Sequence, residues 1–215
     1  THNLEVYRSI TTLGHMMQYS MDTRNNKVTL KQEITNCSNY IRLQKMRFSN
    51  KDIRLELNNE PDTLEILVPK MILQPLVENA FKHGNLLKIP DACIQIRSFL
   101  KDQILHILVE DNGIGISFHT LAQVQEQLKN TKEELTNQGA NTVLQYFTEA
   151  EQHAKQEEPS DTSSSFETRL KNDRQNVHIS NHIGLCNVYM RLLLMYNNQC
   201  QLSIYPNDEC GTTIH

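Results

Sequence analysis

With 215 residues, 38% of them hydrophobic, the chain is long enough for one good-sized core plus an appended helical piece. A formal net charge of -4 and the lack of any dense Lys/Arg patch exclude an electrostatic case for nucleic acid. The five cysteines stand far apart without a Cys-x-x-Cys pair, which argues against a zinc site or disulfide framework and fits reduced thiols in a cytosolic compartment, and no stretch nears the roughly 20 apolar residues of a membrane span.

The first predicted element is a helix over residues 4–19, where Leu4, Tyr7, Ile10, Leu13 and Met17 recur at helical spacing. A second helix is predicted to start at Thr29, whose offset to Gln32 fits a capping box. Its stripe is Leu30, Ile34, Cys37, Ile41 and, after a polar gap at Gln44, Phe48. Such stripes most often mark packing against a neighbouring helix or a second subunit. From Ile53 the pattern changes to strands over 53–57, 64–68, 93–99 and a run ending at Val109, with another at 201–205. Helices are predicted at 70–83 and 183–196, and Pro75 should kink the first or mark a late start. Strands in one layer and helices in the other predict an α+β fold, a two-layer α/β sandwich preceded by an α-helical hairpin.

Three segments carry the candidate chemistry. In the run from Leu73 to Gly84, Leu73, Leu76, Val77, Ala80 and Phe81 form an apolar stripe, Glu78, Asn79 and Lys82 lie off it, and Gly84 reads as the stop. In the run from Val109 to Ser117, Asp111 ends a strand and Gly113 and Gly115 leave room for a tight turn or a flat ligand. The third runs from Asn181 to Tyr196, a glycine-containing helix start with Leu185, Val188, Leu192 and Met195 on one face. Free N–H groups at such a start bind phosphate. On the residues alone each has a plainer alternative: a helix-surface Asn79, a turn Asp111, and glycines that only shape turns.

In this order the three segments resemble the ATP-binding domain of sensor histidine kinases, within the wider group that includes DNA gyrase and the MutL repair proteins, and most of all the LytS/YesM-like kinases. The asparagine box corresponds to residues 73–84, the first glycine box to 111–115 and the second to 182–187; Gly211, Thr212, Thr213 and Ile214 look like the closing Gly-Thr strand. Upstream, residues 17–21, 28–33 and 40–48 look like the helices preceding the domain in that subfamily.

The resemblance divides the chain into residues 1–50, the C-terminal part of a helical dimerisation region, and 51–215, an ATP-binding domain with a long lid insertion at about 118–179. It implies a protein-histidine kinase using ATP and Mg2+, a homodimer through the N-terminal helices, and a response regulator receiver domain as partner. It also implies a cytoplasmic position in a membrane-anchored sensor, the membrane being reached only through parts absent from this chain. Asn79 would hold the magnesium, Asp111 would bind the adenine amine, and Gly113 and Gly115 would shape the adenine pocket. Lys82 and His83 would reach phosphate oxygens; Gly184, Leu185, Asn187 and Arg191 match the second glycine box and the helix after it. Glu78 would orient a magnesium-bound water or serve as a structural helix residue.

Three features depart from the pattern. The insertion carries one stripe of Leu121, Val124, Leu128 and Leu135, a second of Val143, Leu144 and Phe147, and a polar tract around Ser163, Ser164 and Ser165. The second glycine box opens with His182 where the pattern has glycine. The Asn-Pro-His-Phe-Leu-like acceptor motif does not occur, so the accepting histidine is expected a few helical turns upstream of Thr1, and neither His2 nor His15 has its surroundings. A related ATPase or protein-serine kinase, or a non-catalytic nucleotide-binding signalling module, are the alternatives.

Overall fold

The predicted hairpin consists of α1 (His2–Met21) and α2 (Leu30–Arg47). It belongs to a computed structural model that describes residues 2–22, 26–48, 52–138, 183–207 and 210–215. The two helices run antiparallel: Ser9 Oγ lies 3.5 Å from Met46 Sδ at one end, and the Tyr19 hydroxyl donates to Glu33 at the other.

The start of α2 is set locally. Gln32 N donates to Thr29 Oγ1 at 3.3 Å and Thr29 N donates to Gln32 Oε1 at 3.0 Å, the reciprocal capping box expected from the spacing. Leu30, Ile34, Cys37 and Ile41 are buried. Tyr7, Ile10, Leu13, Met17 and Met21 of α1 instead stay exposed, from 51% for Leu13 to 72% for Met21. One helix stripe therefore packs within the chain and the other stays on the surface.

The stretch 64–68, expected to be one strand, is mostly turn. A 3-10 turn at Pro61–Thr63 opens it, and Leu64 N to Pro61 O and Ile66 N to Thr63 O, both 3.2 Å, carry the turn onward. Only β3 (Leu67–Pro69) is extended, and it pairs antiparallel with β1 (Lys27–Thr29). Three residues ahead of a helix show no alternation, so β1 carried no strand signal.

A five-stranded sheet makes the second layer. Its order is β2 (Arg54–Asn59), β4 (Cys93–Lys101), β5 (Ile104–Asp111), β7 (Thr212–Ile214) and β6 (Ile204–Pro206). β2 and β4 run parallel; the other neighbours are antiparallel. β4 and β5 join through Asp102 and Gln103, at φ 52° and 61°, a tight hairpin turn of the primed kind made without glycine.

Helix α3 (Leu73–Lys82) packs beside β5 and α2. It buries Leu73, Leu76, Val77, Ala80 and Phe81, each worth roughly 1.5–3 kcal/mol for the larger side chains. Pro75 is its third residue, where no carbonyl four positions back belongs to the helix, so it marks a late start and leaves no kink.

Residues 1–122 and 201–215 form one compact unit, and 123–200 form another. The first holds helices against a mixed sheet, an α+β arrangement. In the second, α4 (Phe118–Gln138) contributes buried Val124, Leu128 and Leu135, and α5 (Ile183–Met195) contributes buried Leu185, Val188 and Leu193. The stripe of Val143, Leu144 and Phe147, the serine tract and His182 lie outside the described residues.

Candidate functional site

Asp111 is the last residue of β5 and sits between Ile94 of β4 and Thr212 of β7. Its carboxylate accepts from Gly113 N at 2.8 Å and from the Thr212 amide. Burial nevertheless outweighs these two bonds and pushes the carboxyl from 3.8 up to about 6. The carboxylate is thus kept partly dry while two backbone amides donate to it.

The loop after Asp111 meets the end of α3 backbone to backbone. A Cβ on Gly113 would lie 2.5 Å from Gly84 Cα, Gly84 O and Asp111 Oδ1. A Cβ on Gly84 would lie 2.5 Å from Ala80 O and 2.9 Å from Asp111 Oδ1. Ile114 N closes the contact by donating to Gly84 O at 3.0 Å. Gly84, read from sequence only as a helix stop, is thus as necessary for this approach as Gly113. Gly115 is required for a different reason, its left-handed φ of 76°.

Four further residues hold the loop in place. Asn112 Oδ1 accepts from Cys93 N at 2.7 Å and Asn112 Nδ2 donates to Asp91 O at 3.1 Å, pinning the loop to the start of β4. Asn207 Nδ2 donates to Asp111 O at 3.0 Å, and the exposed Cys210 thiol donates to Gly113 O at 2.7 Å. Gly211, at φ 100°, passes so close that a Cβ would fall 1.8 Å from Asp111 O. Only the glycine in the closing Gly-Thr strand gave any signal of this in the sequence; the side-chain clamps gave none.

On α3, Glu78 and Asn79 are both half-buried. The Glu78 carboxylate accepts from Gln74 Nε2 at 2.9 Å and faces Lys82 Nζ at 3.8 Å; Asn36 Nδ2 of α2 in turn donates to Gln74 Oε1 at 2.7 Å. Lys82 and His83 are exposed at the helix end, so the ion pair contributes little to stability. Tyr40 of α2 packs edge-on against Phe81, with ring centroids 5.6 Å apart, and burial followed by the nearby Glu78 charge pushes its hydroxyl up to about 12.

The first unit thus contains Glu78, Asn79, Lys82, His83, Asp111, Gly113 and Gly115. Gly184, Leu185, Asn187 and Arg191 belong to the second, on α5, where Leu185 and Asn187 are buried and Gly184 and Arg191 exposed. Among the described residues no group of three His, Cys, Asp or Glu could hold a metal ion. A cation here would rely on a protein oxygen such as that of Asn79 together with waters and phosphates, which suits magnesium.

Comparison with known proteins finds histidine kinases. The Histidine kinase family matches residues 1–52. The chain is 36% identical over 146 residues to the sensor protein kinase HptS of several Staphylococcus aureus strains, among them USA300 and NCTC 8325, covering 66% of this chain. It spans 28% of the length of those relatives. Among solved structures, the histidine kinase domain of the Erythrobacter litoralis EL346 blue-light activated histidine kinase aligns over 98% of this chain and 72% of its own, at 11% identity and a TM-score of 0.46. A bacterial phosphotransferase aligns over 98% and 74%, at 13% identity and a TM-score of 0.43. At such scores the fold rests on the strand order described above. No helix among the described residues is long and apolar enough to cross a membrane.

Proposed function

We propose, taking the chain's similarity to sensor histidine kinases as the premise, that it is the catalytic ATP-binding portion of a bacterial two-component sensor kinase. The observation that carries this reading is the meeting of the α3 terminus with the glycine loop around a half-buried Asp111, where Gly84 and Gly113 touch with no room for a side chain. A hairpin turn would need neither the backbone contact nor the dried carboxylate.

In this reading Asp111 accepts the exocyclic amine of adenine. Gly113 and Gly115 let the ring lie close to the backbone, and Asn112, Asn207 and Gly211 hold the loop so that the carboxylate does not swing away. Asn79 would hold a magnesium ion through its side-chain oxygen, and that ion would supply charge neutralisation for the nucleotide phosphates. In the same reading Lys82 and His83, exposed at the end of α3, reach phosphate oxygens. Glu78, held by Gln74 and Lys82, either orients a magnesium-bound water or stiffens the helix. Gly184, Leu185, Asn187 and Arg191, on α5 of the second unit, carry the likeness to the second glycine box, and amides at a helix start of this kind bind phosphate.

The division of labour follows the sequence. Residues 1–50 are the end of the dimerisation region, and 51–215 the nucleotide domain with its insertion at about 118–179. The exposed stripe of Tyr7, Ile10, Leu13, Met17 and Met21 meets the same stripe of a second copy. The whole protein moves the γ-phosphoryl group to a histidine on its dimerisation helix outside this chain, then to an aspartate of a response regulator receiver domain. It is membrane-anchored, with this portion on the cytoplasmic side.

Calorimetric titration of Mg-ATP into the chain tests the reading. Saturable binding is expected, together with phosphotransfer once the upstream helix is restored. Failure of the unmodified chain to bind would overturn it, and steady phosphate release without transfer would favour an ATPase.

A further inference from the structure

Glu33 is a charged side chain on α2 that is only 1% exposed. Its two oxygens accept from three successive backbone amides: Met71 N at 2.7 Å to Oε1, and Ile72 N at 2.8 Å and Leu73 N at 2.9 Å to Oε2. These are the amides at which α3 begins. The helix has no cap of its own, since Ile72 at the N-cap makes no side-chain bond, and Pro75 has no N–H to satisfy. A carboxylate from another helix therefore caps α3 from a distance of 38 to 40 residues in sequence. It also holds Met71 at φ 62°, a conformation a non-glycine residue rarely takes.

The Glu33 carboxylate has one more partner, the Tyr19 hydroxyl of α1. The Tyr19 ring lies under the Lys70 ammonium at 4.6 Å, and Lys70 Nζ donates to Asp22 O at 2.6 Å, so the segment just before α3 is tied to the end of α1 as well. Further along, α2 and α3 stay in step through Asn36 to Gln74 to Glu78 and through Tyr40 against Phe81. Asn79 follows Leu73 by six residues, about 9 Å along the helix axis. Any shift of α3 at its capped end is carried along a rigid rod to Asn79.

We infer that Glu33 is a positioning residue for the nucleotide site: through Tyr19 on one side and the first amides of α3 on the other, it lets the helical hairpin set the placement of Asn79. This rests on the reading of Asn79 as the magnesium-nucleotide ligand. The hairpin and the site then form one linked device, in which a change in the pairing of α1 with α2 alters magnesium-dependent binding more than it alters the adenine pocket at Asp111, which the α3 end meets through Gly84.

The test compares the unmodified chain with Glu33→Gln and Tyr19→Phe by calorimetry with Mg-ATP and, separately, with adenosine, and by amide hydrogen exchange at residues 71–73. In Glu33→Gln the amide NH2 faces backbone donors, so faster exchange at 71–73 and about tenfold weaker Mg-ATP binding are expected, with a clearly smaller loss of adenosine affinity. Tyr19→Phe, which removes one hydroxyl and no capping oxygen, is expected to weaken Mg-ATP by about threefold and to keep the chain folded if Glu33→Gln does not. Equal Mg-ATP affinities in a binding-competent parent and in both variants, or equal losses of Mg-ATP and adenosine binding, overturn the inference alone. Absence of Mg-ATP binding by the unmodified chain overturns the nucleotide reading and this inference with it.

Discussion

Replacing Asp111 by Asn should move stability and function in opposite directions. Burial raises the folded-state carboxyl from 3.8 to about 6 against the pull of the Gly113 and Thr212 amides. Between those values the native chain therefore holds more protons than the unfolded one, and stability falls as pH rises. What this group contributes is fully present below its unfolded value of 3.8 and is lost as pH climbs through about 6. The difference corresponds to about 3 kcal/mol at about 1.4 kcal/mol per pH unit, and partial solvent access reduces the expected effect to about 1–2 kcal/mol. Asn has the same shape and keeps an oxygen for the Gly113 amide, but it never carries the buried charge. Urea denaturation should find Asp111→Asn more stable than the parent by about 1–2 kcal/mol at pH 8 and nearly equal to it at pH 4. Mg-ATP affinity should fall by about tenfold or more, since a hydrogen bond to a charged acceptor contributes about 1.5–3 kcal/mol. In the parent, affinity should rise with pH through about 6 and then level off. A variant less stable than the parent at pH 8 would refute the reasoning, because the two amide bonds would then outweigh burial. Unaltered Mg-ATP binding would refute the role assigned to the carboxylate.

Three other substitutions probe separate parts of the structure. Asn79→Ala should weaken Mg-ATP binding by about tenfold while leaving adenosine affinity unchanged in the same calorimeter, and parallel losses of both would remove Asn79 from the magnesium site. Gly211→Ala would place a Cβ 1.8 Å from Asp111 O at φ 100°, so a loss of about 3 kcal/mol or more is expected in denaturant unfolding. A loss below about 1 kcal/mol would mean that the closing strand moves freely away from the Asp111 loop. The double substitution Ile10→Glu, Met17→Glu should convert a dimer to monomers in sedimentation velocity, since both side chains are more than half exposed on the α1 stripe, at 66% and 55%. An unchanged sedimentation coefficient at dimer mass would place the interface elsewhere.

Features set within a few residues were legible in the sequence. The capping box of Thr29 and Gln32, the late start of α3 at Pro75, its five buried apolar positions and the placement of Asp111 at a strand end all depend on neighbours three or four positions away. Such short-range chemistry acts the same way wherever the segment finally packs. Residues 64–68 show the limit: their β-branched and leucine content reads as strand, yet the turn bonds that begin at Pro61 use up most of the run.

The tertiary structure decided what distant segments do to one another. Gly84 and Gly113 are each ordinary turn residues until the end of α3 is pressed against the loop after β5, and only then does a side chain at either become impossible. Glu33 carries no signal of its own in the sequence, but packing of α2 on α3 makes it the cap of another helix. The rise of Asp111 to about 6 likewise comes from β4, β7 and the glycine loop closing around it. Periodicity and capping are written into neighbouring residues, whereas excluded volume and desolvation exist only once remote parts of the chain share the same space.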